Sequence, residues 1–164
     1  MVRIWLDRFW RSNRGTALIE SAIVLPVFLM LIGGVYEFGY FFYQQQLMTT
    51  GVRDAARYLA LSANPNNATT QQEAMKLAVY GEMATGTVAR VPGWSTADVA
   101  IAVAALDNSS GFYCSGCTVA VITVSTSLRD SSLGFLGLLG LNAPIISVSH
   151  QERWIGGSAP EIYQ

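Results

Sequence analysis

Residues 14–43 have the sequence RGTALIESAIVLPVFLMLIGGVYEFGYFFY, which is the main apolar run of the 164-residue chain. Residues 22–36 carry no charge, and the aromatic side chains that follow extend the apolar character to the end of the run. The stretch 16–43 exceeds the roughly 20 residues that a membrane-spanning helix needs, although it contains Glu20 and Glu37. We therefore predict a single membrane-spanning helix near the N-terminus.

The segment that precedes this run is basic. Residues 1–14 contain four arginines and one aspartate, whereas the whole chain has a net charge of −1, so the later residues sum to −4. A basic stub ahead of an apolar run indicates a cytoplasmic N-terminus and an exported remainder. The near-neutral total gives no electrostatic footprint for nucleic acid, so no nucleic-acid partner is expected. The length suffices for one small domain and an anchor.

The apolar run differs from a cleaved secretory signal. Such a signal ends in small residues just beyond an apolar core of about 7–15 residues. Here the core continues into the bulky sequence Tyr-Glu-Phe-Gly-Tyr-Phe-Phe-Tyr at 36–43. We therefore predict that the apolar helix stays attached to the exported part of the chain.

Glu20 is the most informative residue of the run, because a carboxylate inside an apolar segment is costly unless it finds a partner. Glu20 and Glu37 are 17 residues apart, about 25 Å along a helix, and the hydrocarbon core is about 30 Å thick. Both glutamates could therefore lie near opposite interfaces, with Glu37 reaching water on the outer side. Glu20 either contacts lipid headgroups at the cytoplasmic interface or meets a specific ionic partner.

Residues 13–21, Asn-Arg-Gly-Thr-Ala-Leu-Ile-Glu-Ser, resemble the prepilin-peptidase site of type IV pilins and pseudopilins. In those proteins cleavage follows the glycine, and the glutamate is the fifth residue of the mature chain. The resemblance implies cleavage between Gly15 and Thr16. Glu20 of the same subunit or of a neighbour would then neutralise the new α-amine of Thr16 during assembly, because hydrocarbon solvates neither charge.

Pro26 lies in the middle of the apolar run and removes one helical hydrogen bond, to the carbonyl of Ala22. Two interpretations stay open. The helix either bends or partly melts at this position as subunits pack, or Pro26 is one of the prolines that are frequent in membrane helices.

A longer resemblance covers about 45 N-terminal residues. Residues 15–26, the triplet Glu37-Phe38-Gly39 and residues 44–60 are similar to TadE-like proteins, the minor pseudopilins of the tight-adherence (Flp) pilus system. A looser similarity extends over residues 121–125, residues 133–141 and a strand that ends near Arg153. Ser21 departs from the family, which often has an aromatic residue there.

This resemblance implies export, processing by a prepilin peptidase, and a role in pilus biogenesis or as a minor pilus component. The implied partners are the prepilin peptidase, other pilins and pseudopilins, the inner-membrane assembly platform and the lipid bilayer. The implied location is the bacterial inner membrane, with the N-terminus in the cytoplasm and the C-terminal part in the periplasm. The rival interpretation is a permanently anchored periplasmic binding protein that never enters a filament.

The chain is accordingly expected to have three parts: a leader at 1–15, a transmembrane helix with an extracytoplasmic extension at 16–62, and a head at 63–164. The first helix should end near Leu61, because Asn-Pro-Asn-Asn follows shortly afterwards. In its extension, Gly51 and Ala55 form a small-residue pair that permits close helix approach. Asp54 and Arg57 have the spacing of a favourable helical ion pair.

The head is predicted to be α+β. Thr-Gln-Gln-Glu at 70–73 matches a capping box, which predicts a second helix over residues 71–84 that stops at Gly86. Alternating and β-branched side chains predict strands at 98–106, 118–128 and 144–154, and hence an antiparallel sheet of three to four strands. Residues 133–141 are too short to cross a bilayer and form either a buried crossover or an exposed apolar loop.

Cys114 and Cys117 form a Cys-Ser-Gly-Cys motif in the head. A thioredoxin-type motif opens a helix, whereas a strand is predicted to follow here, so a structural disulfide is favoured over an anchored redox protein. His150 is expected on the apolar side of its strand, and the chain offers too few further ligands for a metal site. Since no nucleophile motif, phosphate loop or catalytic carboxylate pair is present, we expect neither an enzyme nor a cofactor.

Overall fold

The computed structural model describes residues 14–83, 88–108, 118–129 and 144–156, together with the single positions 134, 137, 140 and 142. The chain divides into two compact units, Met1–Gly39 and Tyr40–Gln164. The first unit contains the N-terminal part of a long helix. The second contains the remainder of that helix, a shorter helix and a sheet.

The long helix, α1, spans Arg14–Leu61 and is helical across Pro26. It ends where the sequence predicts. By length and composition α1 is able to cross a membrane, and its most apolar window has a mean hydropathy of 2.3. In the first unit the large apolar side chains from residue 18 to residue 32 are all more than half exposed. Such a surface is suited to an apolar surrounding rather than to water.

The C-terminal end of α1 is closed by the segment that follows the last strand. The backbone N–H of Ile155 donates to the Ala60 carbonyl at 2.9 Å, and the indole N–H of Trp154 donates to the Ser62 carbonyl at 2.8 Å. These bonds satisfy carbonyl groups that a helix end otherwise leaves unpaired. Gly156 allows the approach, because a Cβ there would collide with the backbone of Leu61 and Ser62.

Helix α2 spans Ala68–Tyr80, so the predicted range of 71–84 is wrong by about one turn at each end. The N-cap is Asn67, whose side-chain oxygen accepts from the backbone N–H groups of Thr69 and Thr70. Thr70 therefore lies inside the first turn, and an asparagine cap replaces the predicted capping box. At the other end Gly81 adopts a φ of 78°, a left-handed conformation that glycine tolerates and that terminates the helix. Gly86 lies outside the described residues.

Three strands form one antiparallel sheet in the order β1-β2-β3: Val99–Asp107, Thr118–Arg129 and Ile145–Arg153. A short 3-10 turn over Thr96–Asp98 leads into β1. In β1 the larger side chains alternate with exposed alanines, as predicted, so that one face of the sheet is apolar. The α+β architecture with its long N-terminal helix is thus confirmed.

The core of the second unit lies between that apolar sheet face and the two helices. It contains apolar side chains from α1, α2, the connection after α2 and all three strands: Met48, Val52, Ala55, Ala56, Leu59, Ala60, Ala74, Ala78, Val79, Val91, Trp94, Val99, Ile122, Val124 and Ile146. Gly51 is buried beside α2, where a Cβ would collide with the Ala78 carbonyl. Gly51 therefore lies where α1 meets another helix, as the sequence predicts, and Ala55 is buried in the same core.

Candidate assembly site

The predicted cleavage site lies at the start of α1. Gly15 and Thr16 are exposed and belong to the first helical turn, and no heavy atom lies within 4 Å of the place that a Gly15 Cβ would occupy. Among the described residues, none covers Gly15 or blocks the approach of a protease. Residues 1–13 of the predicted leader lie outside the described residues.

Glu20 follows Thr16 by four residues and is exposed. Residues at this spacing are neighbours on one helix face, with Cβ atoms about 5–6 Å apart. Around Glu20 the surface is apolar, because Leu18, Ile19 and Ile23 are among its exposed neighbours. The carboxylate is thus placed one turn from the predicted new N-terminus, within a surface that gives it little solvation once water is removed.

Ser21, the position at which the chain departs from its resemblance to the TadE-like family, uses its hydroxyl within α1. The hydroxyl donates to the Ala17 carbonyl at 2.7 Å. A serine bonded in this way presents little polarity to its surroundings. Although Ser21 is a polar residue, Glu20 is therefore the main polar group on this part of the surface.

Glu37 does not reach water, contrary to the expectation. Its side chain is only 6% exposed, and it takes part in an interaction with another group. Spacing along the helix could estimate how far Glu37 lies from Glu20. Spacing alone could not show that the side chain is buried.

The ion pair predicted in the extension of α1 has a different partner. Asp54 pairs with Arg90 at 3.0 Å, and Arg57 is exposed. Arg90 is close in space but 36 residues away in sequence, so helical spacing could not find it. Arg57 would lose hydration and rotamer freedom if it paired with Asp54. The Asp54–Arg90 pair is partly shielded from solvent, so its attraction is screened less by water.

Two further polar contacts lie within the second unit. The hydroxyl of Tyr58 on α1 donates to a carboxylate oxygen of Glu73 on α2 at 2.6 Å. This hydrogen bond, together with partial burial and the charge of Glu73, raises the pKa of Tyr58. The buried indole of Trp94 donates to the Thr126 hydroxyl at 2.9 Å. Sequence analysis identified neither contact, because both join elements that are far apart in the chain.

The remaining candidate residues are in the head. Cys114 and Cys117 lie outside the described residues, so the disulfide stays a prediction. His150 is half-buried on the apolar face of β3 and lies 3.1 Å from the carboxylate of Glu152. Within the described ranges, no group of three or more His, Cys, Asp or Glu residues is placed to hold a metal ion.

Comparison with known proteins bears on the N-terminal part of the chain. Residues 15–57 match the family described as TadE-like protein. No curated protein and no solved structure matches the chain. The matched range begins at the predicted cleavage glycine and includes Glu20, Glu37 and the extension of α1. The match agrees with the predicted resemblance of the N-terminal part of the chain to TadE-like proteins, a family that suggests involvement in a tight-adherence pilus system.

Proposed function

We propose that this chain is a minor pseudopilin of a tight-adherence pilus, cut by a prepilin peptidase and then assembled with other pilins through its N-terminal helix. The observation that carries the proposal is the family match that starts at Gly15, with Glu20 in its place five residues into the mature chain. A basic stub of residues 1–14 ahead of the apolar helix supports a cytoplasmic leader.

The processing step is hydrolysis of one peptide bond. Water adds across the bond between Gly15 and Thr16, which leaves a carboxylate on Gly15 and a free α-amine on Thr16. Gly15 suits this position because it lacks a side chain and lets the backbone enter a narrow cleft.

The assembly step follows from the charges that cleavage creates. The amine of Thr16 and the carboxylate of Glu20 both lie beside an apolar surface, where each charge alone would be poorly solvated. Pairing compensates part of this desolvation, either within one subunit or between neighbours. The exposed apolar side chains of residues 18–32 are then available to lipid before assembly and to other helices during it.

The second unit gives the protein its structured head, which we propose faces the periplasm and meets other pilus proteins. α1 anchors the protein in the inner membrane. This part of the proposal is supported by the single apolar helix near the N-terminus and by the charge difference across it.

Gly15→Leu tests the processing step, because a leucine side chain should not fit the protease cleft. Co-expression with a prepilin peptidase should shorten the wild type and leave Gly15→Leu at full length. Gly34→Leu is the matched control, since Gly34 lies on the same helix with no atom near its absent Cβ, and it should be shortened normally. Normal shortening of Gly15→Leu would refute the assignment.

A further inference from the structure

At the beginning of the second unit, just after Tyr40, α1 exposes aromatic side chains and buries a polar one, which is the reverse of the usual pattern in water. Phe42 and Tyr43 are 58% and 59% exposed, whereas Gln44, the next residue, is 2% exposed. No described residue forms a hydrogen bond with the Gln44 side-chain oxygen. A surface that faces water normally exposes glutamine and covers aromatic rings, and an unpaired buried polar atom carries a free-energy cost.

The pattern returns to normal within one turn of α1. Gln46 and Thr50 are exposed, and Met48 and Val52 are fully buried. Arg53 and Arg57 continue this exposed polar face. The same helix therefore presents aromatic rings outward at residues 42–43 and polar groups outward from residue 46 onward.

The length of α1 is compatible with a position of this change at the edge of a bilayer. If Glu20 lies at the cytoplasmic boundary of the hydrocarbon, about 20 residues of helix, or roughly 30 Å, carry the chain to Tyr40. Phe42 and Tyr43 then lie within the headgroup region, which extends several ångströms beyond the hydrocarbon. Tyrosine suits this depth because its ring is apolar and its hydroxyl can remain in contact with water and headgroups.

We infer that Phe42 and Tyr43 contact the lipid headgroup region of the outer leaflet, so that the water boundary crosses α1 between Tyr43 and Gln46. The occupant of this aromatic surface is the membrane itself. The second unit, which begins at Tyr40, therefore starts in the lipid interface. The inference rests on the membrane anchoring in the proposed function but does not depend on processing or pilus assembly.

Photo-crosslinking of the full-length protein in phospholipid membranes tests the inference. Benzoyl-phenylalanine replaces Tyr43 in one variant, Phe28 in a second and Thr50 in a third. All three side chains are exposed, so the replacements leave the core intact. Phe28 reports on the apolar span, and Thr50 lies about two turns beyond Tyr43 on the same helix.

Lipid adducts should form at position 43 severalfold more efficiently than at position 50, and at a level comparable to position 28. An adduct to protein in place of lipid at position 43 would overturn the inference, as would equal lipid labelling at positions 43 and 50. In either case a lipid adduct at position 28 would leave the membrane anchoring intact. Absence of a lipid adduct at position 28 would overturn the anchoring and the inference together.

Discussion

A guanidinium nitrogen of Arg90 lies 3.0 Å from a carboxylate oxygen of Asp54 and donates a hydrogen bond to it. The backbone N–H of Arg90 also donates to the Val79 carbonyl on α2 at 2.8 Å. Arg90 therefore connects α1 to the end of α2 through one side-chain bond and one backbone bond. Both bonds lie within the second unit.

Replacement of Arg90 by alanine should lower the free energy of unfolding of the head by up to about 1 kcal/mol, as is typical of partly exposed ion pairs. Arg57→Ala is the matched control and should change it by less than about 0.5 kcal/mol, because Arg57 is exposed. Denaturation followed by tryptophan fluorescence, to which the buried Trp94 contributes, provides the measurement. A double-mutant cycle in which Asp54 couples to Arg57 and not to Arg90 would contradict the structure.

Gly51→Ala should destabilise the head by about 1–3 kcal/mol, because the added methyl group collides with the Ala78 carbonyl and forces the two helices apart. Gly39→Ala is the matched control on the same helix, where the site of the Cβ is empty. There the higher helix propensity of alanine should stabilise the protein by about 0.5–1 kcal/mol. Effects of the same sign at both positions would show that helix propensity, and not contact with α2, governs residue 51.

Tyr58 should make the stability of the head sensitive to high pH. Its pKa in the folded state is raised by the hydrogen bond to Glu73, then by burial and by the Glu73 charge. A raised pKa favours the protonated form in the folded state, so this contribution is complete below the unfolded pKa of about 10 and is lost as pH rises through the folded pKa.

Tyr58→Phe should therefore cost about 1 kcal/mol at pH 7 and reduce the loss of stability above pH 10. Tyr80→Phe is the control, since no described group bonds to the Tyr80 hydroxyl. Denaturation curves at pH 7 and at about pH 11 decide the point. An unchanged pH dependence in Tyr58→Phe would show that the raised pKa does not contribute to stability.

Glu20→Ala should leave processing intact, because Gly15 is unchanged, and should reduce association with pilus partners. Without Glu20 the amine of Thr16 has no counter-charge in its apolar surrounding. Glu20→Gln should retain part of the association, since it keeps a hydrogen-bond acceptor but loses the charge. Co-purification of partners at matched expression is the measurement.

Ser21→Ala is the control for this series, because the Ser21 hydroxyl is already bonded within the helix and its loss changes little outside it. Glu37→Ala is unsuitable as a control, since the Glu37 side chain is buried and takes part in an interaction of its own. If Glu20→Ala recovered partners as well as the wild type did, the charge-pair mechanism would have to be abandoned.

Local patterns predicted the elements of this chain well. The apolar run and the Asn-Pro-Asn-Asn stop located α1, and the β-branched segments located the three strands to within one or two residues. α2 was misplaced because the capping-box pattern at 70–73 was taken as its start, whereas the side chain of Asn67 caps the helix three residues earlier.

The contacts of the head could not be predicted in the same way. The partner of Asp54 and the bond between Tyr58 and Glu73 both depend on how distant segments meet. The candidate site is the opposite case. Gly15, Thr16 and Glu20 occupy one and a half turns of a single helix, so sequence spacing alone defines their arrangement.

The central claim is tested most directly by the N-terminus of the protein isolated from membranes of cells that contain its prepilin peptidase. N-terminal sequencing, or mass spectrometry of the N-terminal peptide, identifies the first residue. Our account predicts a chain that begins at Thr16 with a free α-amine, four residues before Glu20. An intact chain that begins at Met1 would contradict it and would favour a permanently anchored protein that does not enter a filament.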